Sequence, residues 1–299
     1  MTELTVQASS ALHRKGVMLA AMAGLIWSSG AAIARGLTTD SWTTIFWRGI
    51  FACAFLSIFV AFRNRGRFIS VFKGMGWPGV AMALSFATAS SSFVIALDHT
   101  SVAHVLFLVG VSPFIAAIVG WLFLREPVRR GTWIAIGAVC AGIAIMESDT
   151  WGTGGLVGDL FGLLMASGFA VGTVIMRRYR QVRMTPAAAL AACFGMLFAL
   201  TQGASLEVGA TDLGLLVLFG AGQLGVGLAF FTAGARLIPA AEAALCSLIE
   251  LALGPLWVWL IYREALDPLA MIGGGLIIGA VVCNTIFDRS AAPSAPPIT

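Results

Sequence analysis

Four of the ionisable residues inside otherwise apolar stretches are of types that could do chemistry there. Glu250 lies about ten residues into an apolar run of roughly 22, near the depth where an ionisable side chain in a membrane is rare and functional. There it suits pairing with a substrate ammonium group or carrying a proton. His104 and Glu242 each stand about one turn into their runs. His104 titrates near neutral pH and suits a gate or proton coupling. Glu242 suits the same role, or simple favour from the dipole of a helix start. Arg48 is about six residues into its run, close enough to the end for its guanidinium to snorkel to the interface. That makes it a structural anchor or ion-pair partner, the other reading being capture of a substrate carboxylate.

Neutral groups add to these. The polar side chains at mid-run are Ser28 and Ser29; Ser85, Thr88 and Ser92; Ser112; Ser167; and Gln223. An unpartnered polar group in hydrocarbon costs several kcal/mol, so these runs should wall a cavity rather than face lipid. Of nine tryptophans only Trp27 is at mid-run; the others lie near run ends, as an aromatic belt requires. With Phe86, Phe107, Phe169 and Phe230, Trp27 could form an apolar, stacking-capable pocket. Gln223, Gly227 and Phe231 are spaced by four and share one helix face. The expected substrate-binding set is therefore Trp27, Ser85, Thr88, Ser92, Phe107, Ser167, Phe169, Gln223 and Glu250. Pro113 and Pro255 break the backbone ladder and mark expected hinges. Glu126 and Glu264, in the repeated pair Arg-Glu at two run ends, are expected to be structural turn devices.

These groups must be positioned by membrane helices. Of 299 residues 59% are hydrophobic and 11% charged, and the mean hydropathy is +0.94, against roughly 25% charged in an ordinary soluble domain. Taking an apolar run of about 17 to 25 residues as one span, the chain reads as ten: 16–34, 43–62, 76–97, 102–123, 132–147, 155–176, 186–204, 212–234, 240–261 and 268–287. The runs are continuous and lack the period of two of outer-membrane strands. The first is longer than a signal core of about 7 to 15 residues and reads as a retained helix.

The net charge of +4 is dispersed in short clusters such as Arg63, Arg65, Arg67 and Lys73, or Arg177, Arg178, Arg180 and Arg183. No single stripe suggests nucleic acid. By the positive-inside rule the clusters place both termini in the cytoplasm of a bacterial-type inner membrane. Five cysteines lie within spans with no CxxC spacing, and no metal or cofactor is implied. The sequence has no HExxH, no G-x-S-x-G and no Walker A loop, and its two lysines are Lys15 and Lys73, so neither an intramembrane enzyme nor an ATP-driven pump is indicated.

A shift of 138 residues brings Ala103 onto Ala241, Trp121 onto Trp259, Arg125-Glu126 onto Arg263-Glu264, Ile134 onto Ile272 and Gly137 onto Gly275. Two repeats of five spans are expected, 16–148 and 149–288, between tails 1–15 and 289–299. An odd span number inverts the second copy, a signature of alternating-access transporters. Spans five and ten carry no mid-run polar residue, and Gly275 with Gly279 suits close packing or dimerisation.

The stretches Ala23-Gly24-Leu25-Ile26-Trp27-Ser28-Ser29-Gly30, Phe46-Trp47-Arg48-Gly49-Ile50, Ala96–Ala103, Ser112-Pro113 and Leu124-Arg125-Glu126-Pro127 resemble the EamA-type branch of the drug/metabolite transporter superfamily. The resemblance implies ten helices in two inverted halves around a central cavity. It further implies export of small metabolites, with the YddG-type exporters of aromatic and other neutral amino acids as the relatives given most weight. A monomer suffices for that reading, though an oligomer is allowed. Gly168-Phe169-Ala170 departs from the Trp-Ala pair expected there, which alters the aromatic pattern of the site. The other expectation is a polyspecific drug/metabolite:proton antiporter.

Overall fold

The computed structural model describes residues 3–65, 67–100, 105, 108–146, 148, 155–263 and 268–287. Among them there is no strand. The helices are α1 (Glu3–Trp27), α2 (Gly30–Arg35), α3 (Ser41–Arg63), α4 (Phe68–Gly74), α5 (Gly76–His99), α6 (Ser112–Leu124), α7 (Arg130–Met146), α8 (Leu156–Arg178), α9 (Thr185–Thr201) and α10 (Ala210–Val217). A π-helical segment, Leu218–Gly225, continues α10 into α11 (Val226–Gly234), followed by α12 (Ala240–Ser247), α13 (Ile249–Tyr262) and α14 (Pro268–Phe287).

Among the described residues six apolar helical stretches are long enough to cross a bilayer: Ser10–Arg35, Ser41–Arg63, Gly76–His99, Leu156–Arg178, Ala210–Gly234 and Ala240–Tyr262. Four more, Ser112–Leu124, Arg130–Ile145, Thr185–Thr201 and Met271–Asn284, are apolar but shorter.

Local chemistry explains the interruptions. α1 stops at Trp27 because the hydroxyls of Ser28 and Ser29 donate to the carbonyls of Leu25 (2.6 Å) and Ile26 (2.9 Å), a local alternative to continuing the ladder. Asp40 caps α3 by accepting from the Thr43 backbone N–H (3.0 Å) and from its hydroxyl. Partial burial alone would raise the Asp40 carboxyl, but these hydrogen bonds outweigh it and hold the group below the usual carboxylate range. In the π-helical segment three of eight residues, Gly220, Gly222 and Gly225, are poor formers of a regular α-helix.

The two prolines behave differently from the expectation. Pro113 is in the first turn of α6, where its missing N–H breaks no bond. The interruption precedes it, at the turn of Gly110 and Val111. In the second half the break is at Leu248, between α12 and α13, while the backbone stays helical through Pro255. Gly110 and Leu248 are related by the 138-residue shift. So are Arg125 and Arg263, which end α6 and α13 in the same left-handed conformation, φ 53° and 58°.

Small residues let the helices approach. A Cβ on Gly24 would stand 2.9 Å from the carbonyls of Cys246 and Ser247, so α1 runs directly against α12. α7 and α14 pair away from the centre, with Gly142 of α7 against the carbonyl of Gly273. Buried Thr132 and Asn284 lie on the same pair. Gly275 and Gly279 do not make this contact. Both are exposed, with nothing within 4 Å of where their Cβ would be. The close approach is one residue round the helix, because burial follows Gly273, Gly274, Ile277 and Ala280.

Hydrogen bonds tie the two halves at both ends of the bundle. At one end Asp212 accepts from the Thr38 backbone N–H (3.0 Å) and hydroxyl (2.7 Å), and Tyr262 donates to the Ala32 carbonyl at 2.9 Å. At the other, His13 Nε2 is 3.0 Å from Glu242 Oε1 and Arg177 bonds Glu126 at 2.9 Å.

Candidate functional site

One cavity lies between the halves, lined by Trp27, Ser28, Gly30 and Ala31; Arg48; Phe86, Ala89, Ser90 and Phe93; Val109; Met165 and Phe169; Gln223, Leu224 and Leu228; and Ser247, Glu250 and Gly254. It offers about 100 Å³ of water-accessible space, room for several water molecules. The lining positions fall in the middle of their helices and toward the end marked by Arg35, Asp40, His99 and Tyr262.

Its apolar wall is an aromatic cluster. The Phe169 ring is 6.0 Å from Trp27, edge to face, 5.4 Å from Phe86 and 5.0 Å from Phe231. Trp27 and Phe231 are 5.2 Å apart. Phe231, not Phe230, closes the cluster; Phe230 is half-buried and packs on the core from the neighbouring face. Gly227 makes room for the indole, since a Cβ there would meet Trp27 Nε1 at 2.0 Å. The Trp27 Nε1 itself has no hydrogen-bond partner.

The polar side is built on the helix irregularities. Gln223, in the π-helical segment, donates from Nε2 to the Trp27 carbonyl at 3.0 Å, capping the end of α1. Gly30 permits this, because a Cβ there would be 2.7 Å from Gln223 Nε2. The Gln223 Oε1 accepts from Arg48 Nη2 at 3.4 Å, and Ser90 Oγ accepts from Nη1 at 3.4 Å. Trp257 Nε1 donates to Ser28 Oγ at 2.8 Å.

Arg48 corrects the expectation of a snorkelling anchor. The residue is 6% exposed and faces the cavity, with its guanidinium 4.3 Å over the Phe219 ring. Its backbone is wedged on two sides, since Cβ atoms on Gly49 and Gly220 would stand 2.9 Å from the Ala192 carbonyl and 2.6 Å from the Arg48 carbonyl. From that seat the side chain points inward. Glu250 lines the same cavity. The two interact electrostatically, yet no ion pair within 4 Å joins them, and Glu250 has no hydrogen-bond partner among the described residues.

Of the candidate substrate-binding residues, Trp27, Phe169, Gln223 and Glu250 line this one cavity. The serine and threonine set does not. Ser85 is half-buried and donates to the Ala81 carbonyl at 2.9 Å. Thr88 is exposed, Ser92 is buried away from the cavity, and Ser167 is half-buried outside it. Residues 85, 88 and 92 share one face of α5, whereas the cavity takes the adjacent face, 86, 89, 90 and 93. Ser90 was the overlooked member, and its register with Phe86 and Phe93 was the available signal. Arg48 also adds span two to the six that mid-run polarity selected. His104, Phe107 and Glu264 lie outside the described residues.

Glu242 is remote from this cavity. It is 2% exposed and borders a second space of about 60 Å³, with Glu126, Arg129 and Thr132, at the His13 end.

The model of the EamA-like transporter family matches twice, over residues 14–148 and 156–286. Comparison with curated proteins gives no match. A solved structure described only as a crystal structure of a protein superposes with a TM-score of 0.79 at 18% identity, covering 93% of this chain and 100% of its own. Likeness at that identity shows the fold.

Proposed function

This chain belongs to the EamA-like transporter family of the drug/metabolite transporter superfamily, and on that premise we propose that it exports small metabolites by alternating access about the aromatic cavity. The cargo we propose is aromatic and other neutral amino acids. The observation that carries this reading is the pairing of an aromatic wall with an unpartnered Glu250 in one cavity inside membrane-length helices.

We further propose ten spans in two inverted halves, 16–148 and 149–288, with both termini cytoplasmic in the inner membrane and one chain sufficient for transport. The two family matches and the shared left-handed ends at Arg125 and Arg263 support the repeat. On this topology the cavity lies toward the outer side. The His13–Glu242 and Arg177–Glu126 bonds then close the inner side, the gate role expected of Glu242, and Gly110 and Leu248 are the flexing points.

Counterflow of radiolabelled Phe, Met, Thr and Leu into liposomes holding the purified protein, with and without a pH gradient, tests this. Saturable transport of these amino acids is the expected result. Acceleration by the gradient that is lost in Glu250→Gln assigns proton carriage to Glu250, whereas indifference to the gradient leaves it a binding group. The second reading, a polyspecific drug/metabolite:proton antiporter, draws on the same unpartnered carboxylate and apolar lining. It prevails if lipophilic cations are carried and amino acids are not.

A further inference from the structure

We infer that Arg48 is a carboxylate-binding group and that Arg48 and Glu250 together select a zwitterion, an assignment that rests on the cavity being the transport site. A guanidinium has five N–H donors in a fixed fork. In Arg48 two of them reach only neutral oxygens, Ser90 Oγ and Gln223 Oε1, both at 3.4 Å, longer than the roughly 2.7 to 3.2 Å of a good N–H···O bond. Nε is buried with no hydrogen-bond partner among the described residues. One face of the group is covered by the Phe219 ring at 4.3 Å, and the residue lines the cavity. A cation this buried and this weakly satisfied is costly unless an anion completes it. A carboxylate fits the fork bidentately.

Glu250 sets the second condition. It supplies the opposite charge in the same cavity, but the two are not bonded to each other. A direct Arg–Glu pair would satisfy both and close the site to charged ligands. Held apart, each needs a partner of its own. A monoanion would leave Glu250 unmatched and a lipophilic cation would leave Arg48 unmatched. A molecule carrying both charged groups on one carbon answers both, and the Trp27, Phe86 and Phe169 wall receives its apolar side chain. The entering carboxylate displaces Gln223 Oε1 from Arg48 while Gln223 Nε2 keeps its bond to the end of α1.

The test is a ligand series on the full chain in nanodiscs. L-leucine, leucinamide, which lacks the carboxylate, and 4-methylpentanoate, which lacks the ammonium group, are titrated with tryptophan fluorescence and thermal shift as readouts. Leucine is expected to bind about tenfold or more tightly than either analogue, and Arg48→Gln to erase the difference between leucine and leucinamide. Equal binding of leucine and leucinamide by the unaltered protein overturns the assignment, and so does binding of none of the three. The unaltered protein decides this even if Arg48→Gln does not fold. The liposome assay separates the two readings. Preferred binding of leucine without any transport keeps the subsite and removes the transport reading, whereas equal transport of leucine and leucinamide does the reverse.

Discussion

The first-half helix α1 and its repeat counterpart α8 share more sequence than structure. The 138-residue shift puts Gly24, Ser29 and Gly30 onto Gly162, Ser167 and Gly168. Even so, α1 ends at Trp27 while α8 runs unbroken from Leu156 to Arg178. Between the matched residues Ser28 stands opposite Ala166, and only Ser28 has a hydroxyl to bond the Leu25 carbonyl and accept from Trp257. The third spans differ in the same way. α5 is regular, whereas its counterpart contains the π-helical Leu218–Gly225, so Gln223 reaches the cavity and its equivalent Ser85 does not. The halves depart from one another where Trp27, Gln223 and Arg48 meet. A symmetric pair of halves would build a symmetric pore, and these departures give the cavity two chemically distinct sides.

Five tests, two of them pairing two substitutions, break or sharpen that comparison. Gly227→Val forces a side chain into the Trp27 indole, and overpacking of this kind costs up to about 3 kcal/mol. A lowered melting temperature with an altered tryptophan spectrum and lost transport is expected; an unchanged protein would mean the indole is free to move away. Gln223→Ala removes the cap on α1 and a partner of Arg48, a cost of about 2 kcal/mol. Ser85→Ala, at the equivalent position, stays within about 0.5 kcal/mol, and equal effects in paired denaturation curves would erase the distinction between the halves.

Ser28→Ala makes α1 resemble α8 and leaves Trp257 Nε1 without its acceptor, a loss of about 1 kcal/mol. Slower transport at preserved helicity is the expected readout in circular dichroism and liposomes. Asp40 contributes through its lowered carboxyl. That stabilisation is complete above the unfolded value of about 3.9 and is lost as pH falls through the lower folded value. Asp40→Ala should therefore lower the melting temperature at pH 7 by more than at pH 3, and a pH-independent difference would remove the carboxylate from the account. Smallest of all, Thr88→Val on the exposed face of α5 should change stability by no more than about 0.5 kcal/mol and leave transport intact, while Ser90→Val, two residues away, impairs it.

Legibility in the sequence followed depth more closely than direction. Counting residues into an apolar run located Trp27, Gln223 and Glu250 at mid-depth, and the spacing of Gln223, Gly227 and Phe231 placed the three on one face. The same count gathered Ser85, Thr88 and Ser92 into the site, because polarity at mid-depth does not say which way a side chain points. Ser85 satisfies itself on its own helix, an outlet available to any serine or threonine. For Arg48 the distance from the run end allows snorkelling, whereas in the structure the residue is buried and lines the cavity, its backbone packed closely at Gly49 and Gly220.

The sequence by itself determined the helical membrane class, the 138-residue repeat and the family likeness, since hydrophobic runs, charge clusters and motif spacing are properties of the chain alone. Tertiary structure decided which face of each helix meets the cavity, that Arg48 points into it, and that the halves differ through a broken α1 and a π-helical turn. Those outcomes depend on close approaches of backbones and on hydrogen bonds between residues far apart in the chain, 196 positions for Gln223 to Trp27 and 229 for Trp257 to Ser28. No local pattern encodes them.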